Sequence, residues 1–156
     1  MPNWCNNYAK FSHSNPEMLE KLKRACETES VCETFCPVST EGDLVDAQTA
    51  AWGTKWDFGI DGPAVVDNTL SGYFDTAYTP PLGIYDVLSE LGFHVEAYWH
   101  EGGLCFAGEY ETGLGAVDYE NIRYTEEGLE GLPEHIVDTF NLEDYLSCDD
   151  QEDSDE

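Results

Sequence analysis

From Trp4 to Ser12, apolar and polar side chains alternate loosely, with Tyr8 and Phe11 as apolar positions, and this predicts a first strand. Asn15-Pro16-Glu17 has the form of a helix start: a capping Asn, a Pro at the first helical position and an acid in the first turn. Met18, Leu19, Leu22, Ala25 and Cys26 follow at helical spacing and form one apolar face. Lys21, Lys23 and Arg24 fall in the C-terminal half of that helix, where the dipole favours cations. Residues 31–43 read as loop, and residues 44–51 as a short helix.

An alternation through Phe58 and Ile60 precedes a second alternating run from Leu70 to Ala77. The two are expected to pair as antiparallel strands across a turn at 61–68. Pro80-Pro81 ends the later strand. Ile84, Val87, Leu88 and Leu91 define a second amphipathic helix, with Gly92 just past its end. Phe93, Val95, Ala97 and Trp99 alternate as another strand, and Glu101-Gly102-Gly103 turns the chain back through 104–110. A weaker strand at 119–124 and a short helix at 133–140 complete the pattern. The order strand, helix, strand, strand, helix, strand is that of a split βαβ, or ferredoxin-like, α+β sandwich. It predicts an antiparallel sheet with two helices on one face and extra strands at the C-terminus.

The 156 residues suffice for one domain with a real core. Residues 1–142 are expected to form it. Residues 143–156 end in a run of acids without apolar content from Asp149 on, and read as a largely disordered acidic tail.

Charge changes the picture most. Six Lys+Arg against 33 Asp+Glu give a formal net charge of -27, where a small soluble domain carries a magnitude of roughly 2–8. Self-repulsion on this scale lowers stability, so solubility alone does not explain it. Direct nucleic-acid binding is not expected, because phosphate contacts need Lys and Arg. An anionic membrane surface is excluded on the same ground. Residues 1–15 show no basic-then-apolar leader and no run approaches a membrane span, so a cytoplasmic protein is expected. The six cysteines are then thiols. Cys32 and Cys36 have no second Cys pair to complete a metal site, and neither metal nor cofactor is expected.

Three segments carry a family resemblance: Met1-Pro2-Asn3-Trp4-Cys5-Asn6-Asn7, Trp52-Gly53-Thr54-Lys55-Trp56-Asp57, and Phe74-Asp75-Thr76-Ala77-Tyr78-Thr79-Pro80-Pro81. In this order they resemble the YubB-type ferredoxin-like domain proteins of phages and plasmids. The family pattern has Trp where this chain has Tyr78, and Ser where it has Thr79. The resemblance spans roughly residues 1–110 and implies a ferredoxin-like fold encoded by a mobile genetic element. It implies no activity, since the family has no agreed biochemical function.

Trp52 and Trp56 read as anchors of a strand entrance, with Lys55 paired to a nearby carboxylate. The competing reading is a small pocket, catalytic or binding, built from Lys55, Asp57 and Asp75. His94, Glu96 and His100 share a parity on one strand, which fits an outward polar row, the commoner arrangement, or a metal or proton-transfer site. No nucleophile–base pair, carboxylate dyad or phosphate loop has local sequence support, so a binding protein is expected and not an enzyme. Twenty-seven charges equal those on roughly 46 Å of duplex DNA at one per about 1.7 Å. A folded chain this long is roughly 40 Å across, so the densities are comparable, and a homodimer would raise the protein's further. The expected partner is a basic, nucleic-acid-binding host protein. Asp86, Glu90, Glu96, Glu109 and Glu111 are the acids expected to meet it. The alternative is an acidic surface suited to a high-salt host, with an unrelated protein-binding role.

Overall fold

A computed structural model describes residues 3–37, 49–54 and 56–146. Strand β1 (Trp4–Ser12) leads into helix α1 (Pro16–Glu27) and a short α2 (Val31–Phe35). After strands β2 (Ala64–Val66) and β3 (Thr69–Ala77) comes helix α3 (Leu82–Glu90). Strands β4 (His94–Glu101), β5 (Phe106–Glu111) and β6 (Gly115–Tyr119) follow, then two short helices, α4 (Glu126–Glu130) and α5 (Glu134–Thr139). The sheet order is β2-β3-β1-β4-β5-β6, and every neighbouring pair is antiparallel. The first four of these strands have the ferredoxin-like order, with β5 and β6 added at the β4 edge.

Helix α1 begins as its residues dictate. Asn15 Oδ1 accepts the Glu17 N–H at 3.0 Å, and Pro16 occupies the first turn. Its buried residues, Leu19, Leu22, Ala25 and Cys26, pack with Ile84, Tyr85 and Leu88 of α3 onto Cys5, Ala9, Phe11, Val95, Ala97 and Trp99 of the sheet. Trp99 lies flat across β5, where its register partner is Gly108. A Cβ there would come within 2.4 Å of the indole, so only glycine lets the ring close the core at that point. A second, smaller core lies on the opposite face of the sheet, where Ile122, Leu129, Ile136, Val137 and Leu142 gather over Ala107 and Tyr98.

Four expectations are corrected. Residues 31–35 are helical: Val31, Cys32 and Phe35 are buried against the core. The partner of β3 is β2, not the run through Phe58 and Ile60, whose side chains are buried in the main core, Phe58 stacked on Phe74 of β3 at 4.6 Å. Asp67 and Asn68, both at positive φ, make the two-residue turn between β2 and β3. The last strand is β6 at 115–119, earlier than the expected 119–124, and α4 was not anticipated. Structure also continues to Leu146, beyond the expected boundary at 142: Tyr145 stacks on Tyr124 at 4.7 Å and Leu146 joins the second core. The rest of the expected tail, residues 147–156, lies outside the described residues, as does most of the expected helix at 44–51.

Candidate interaction face

Alternation along β1 sends Cys5, Ala9 and Phe11 toward the helices, and Asn6, Tyr8 and Lys10 to the other face. In register, Tyr8 stands opposite Tyr73 of β3 on one side and Tyr98 of β4 on the other. Three tyrosines therefore form a single row across three strands. The Tyr8 ring is 4.7 Å from Tyr73 and 6.4 Å from Tyr98, and His135 of α5 extends the row at 4.8 Å from Tyr98. Tyr73, at the outer end, is 61% exposed.

Carboxylates surround the β4 end of this row. Glu96 stands directly opposite Glu111, and Glu109 directly opposite Tyr98. The Tyr98 hydroxyl donates to Glu96 Oε1. Burial, this hydrogen bond and the charges of Glu96, Glu109 and Glu111 together push the Tyr98 phenol well above its ordinary range. Glu109 accepts from Tyr119 at 3.2 Å and lies 3.2 Å from His135 Nε2; Glu111 lies 3.5 Å from His94 Nε2. Among the described residues the one Lys or Arg ion pair is Arg24–Glu20, far away on α1. Lys10 is the register partner of Glu96, but no ion pair joins them. Lys10 and the imidazoles of His94 and His135 are thus the described cations nearest the three carboxylates, and the like-charge pair Glu96–Glu111 is destabilising by itself.

The five acids singled out in the sequence are divided by the sheet. Glu96, Glu109 and Glu111 come together on the face just described. Asp86 and Glu90 sit on α3, on the other side, where Asp86 Oδ1 accepts from Tyr110 at 2.9 Å.

The three resemblance segments also converge, at the end of the sheet where β1 begins and β3 ends. Tyr78 N–H donates to Asn3 O at 2.8 Å, Asn6 Nδ2 to Asp75 Oδ1 at 2.9 Å, and Asn7 Nδ2 to Thr76 Oγ1 at 2.9 Å. Thr79 Oγ1 donates to Gly53 O at 2.7 Å and Thr54 Oγ1 to Ala77 O at 2.9 Å. Asn7, Thr54 and Thr76 are buried, and Tyr78 takes a left-handed φ of 68° to make the turn. The network satisfies backbone groups that would otherwise be buried unpaired, which gives these sequence positions a structural role. No protein family, curated protein or solved structure matches the chain.

The pocket expected from Lys55, Asp57 and Asp75 does not assemble from the two aspartates. Asp57 takes the N–H groups of Cys32 at 2.7 Å and Glu33 at 2.9 Å, and so caps α2 in the helical layer. Asp75 is on the opposite face of the sheet with Asn6. Lys55 lies outside the described residues. Trp52 is buried and donates to Cys36 O at 2.6 Å, as an anchor should, whereas Trp56 is exposed and meets Trp4 at 6.3 Å.

His94, Glu96 and His100 share a face, as their parity predicts, but in different surroundings. His100 is buried under the C-terminal segment, with Nε2 at 2.8 Å from Tyr124 Oη and Tyr145 edge-on at 5.5 Å. Burial lowers its pKa, against the opposing pull of Glu101. No group of three or more His, Cys, Asp or Glu among the described residues is arranged to hold a metal. Burial raises the thiol of Cys26 to about 11 and that of Cys5 to about 12, which keeps both protonated and unreactive at neutral pH. No helix among the described residues is long and apolar enough to cross a membrane. The tyrosine row escaped the sequence reading: three tyrosines 65 and 25 residues apart carry no local signal, and only strand register aligns them.

Proposed function

We propose that this protein is a binding protein that presents carboxylates to a basic, nucleic-acid-binding protein and competes there with nucleic acid. The observation that carries the reading is the patch around Tyr98, where Glu96, Glu109 and Glu111 lie together and none of them is in an ion pair with a Lys or Arg among the described residues. A cationic partner relieves that repulsion, and the tyrosine row beside it supplies the rigid aromatic surface at which interface energy concentrates. The resemblance of three segments to phage and plasmid proteins supports a host protein as the target, met in the host cytoplasm. The acid-rich remainder of the surface speeds encounter more than it tightens the complex.

The test is competition. A basic partner recovered from host lysate is loaded with DNA or RNA and titrated with the protein. Displacement is expected, and it should weaken when Glu96, Glu109 and Glu111 are replaced by Gln. A stable ternary complex at saturating protein would sink the reading. Acids on both sides of the sheet, Asp86 and Glu90 included, favour a second reading, adaptation to a salty host. That reading predicts no loss of partner binding in the triple variant.

A further inference from the structure

The two C-terminal helices enclose a groove of about 700 Å³ that the interaction face does not use. At its floor Leu132 and Leu146 are half-buried, and Leu129 and Val137 beneath them are buried in the second core. Its rim is acidic: Glu126 and Glu130 of α4, Glu134 and Asp138 of α5, and Glu143. Among the described residues no Lys, Arg or His lines it; His135, between two rim residues, is turned away toward Glu109 on the sheet.

The rim acids are regularly spaced. Glu126 and Glu130 are four residues apart on one helix, and Glu134 and Asp138 four apart on the next. Each pair is a like-charge i,i+4 pair, which weakens its own helix, and both helices are short. The spacing matches basic residues at i,i+4 on a bound helix, and the leucine floor matches the apolar stripe such a helix carries between them.

We infer that this groove docks a basic amphipathic helix of a partner protein. Charge decides against the other occupants. The chain beyond Leu146 brings six more acids between Asp149 and Glu156, so it would add like charge to the rim. A second copy brings a net charge of -27. A cationic helix instead covers Leu132 and Leu146 and neutralises the rim together. The inference stands apart from the Tyr98 patch and does not depend on it.

The test uses the full chain and three synthetic peptides at about 0.15 M salt. The first is an amphipathic leucine–lysine helix. The second has the same composition with its leucines scattered around the helix, and the third has glutamine in place of lysine. The first should bind at least about tenfold more tightly than either of the others, which isolates the apolar and ionic contributions by about 1.4 kcal/mol or more. Glu130→Gln/Glu134→Gln/Asp138→Asn should lose about tenfold for the first peptide, while Glu96→Gln/Glu109→Gln/Glu111→Gln should bind it with little change. Methyl resonances of Leu132 and Leu146 should move on binding in the unmodified chain. Equal binding of the scattered peptide, an equal loss in the two triple variants, or no binding of the first peptide would each overturn the inference.

Discussion

Glu96 and Glu111 stand directly opposite each other on β4 and β5, on the face that carries Tyr98. Cross-strand neighbours of like charge repel at a distance where opposite charges would attract. The fold tolerates this pair because Tyr98 donates to Glu96 and His94 lies near Glu111. Replacing Glu111 by Gln removes one charge and leaves the shape unchanged. The variant should be more stable by roughly 0.2–1 kcal/mol, read from its urea midpoint at unchanged slope, and should bind the basic partner less well. A gain in one with a loss in the other is the signature of a residue kept for binding; a loss of both would mean that the carboxylate holds the strand pair together.

Salt should stabilise the whole protein. The Debye length falls from about 10 Å at 0.1 M to about 3 Å at 1 M, so repulsion among 33 acids and only six Lys+Arg is screened over that range. The thermal midpoint should climb with sodium chloride up to about 1 M and level off beyond. A flat profile would show that the acids are neutralised by bound cations already.

His100 should make stability depend on pH. Its folded pKa lies below the ordinary value of 6.5 because burial disfavours the imidazolium. Between the folded and unfolded pKa values the unfolded chain binds more protons, so stability rises with pH there. The contribution is fully present above about pH 6.5 and is lost as the pH falls through the folded pKa. Melting curves from neutral toward pH 5 should show this fall in the native chain and less of it in His100→Gln. Equal slopes would place the titration elsewhere. Because His100 packs against Tyr124 and Tyr145, amides of the C-terminal segment should lose exchange protection first.

Asp57 should behave as a cap. It accepts from the N–H groups of Cys32, Glu33 and Phe58, and Asp57→Ala should cost roughly 1–2 kcal/mol of stability. Asp75→Asn should cost little, since Asp75 is exposed and its Oδ1 can still accept from Asn6. The two effects should add to within about 0.5 kcal/mol, as for sites that share no partners. Strong coupling in the double variant would revive the pocket that the sequence suggested.

What the sequence determined by itself was local or global in the simplest sense. The start of α1 at Asn15-Pro16 and the alternation of β1 each rest on residues a few positions apart. So does the stop at Pro80-Pro81, whereas the split βαβ order rested also on the run at Phe58 and Ile60, which stood where β2 belongs. Net charge needs no fold at all. Register and layering were beyond it. Whether Tyr73 and Tyr98 flank Tyr8, or Glu96 faces Glu111, depends on how strands far apart in the chain are aligned, because a one-residue slip would send every side chain to the other face. The pairing of β2 with β3 turned on two residues at positive φ, Asp67 and Asn68, against a competing run at Phe58 and Ile60 that the helical layer drew into the core. The division of the five acids between two faces, and the cluster of three around Tyr98, were decided by tertiary structure alone. Side-chain parity tells which residues share a strand face, but only packing tells which face is covered and what stands beside it.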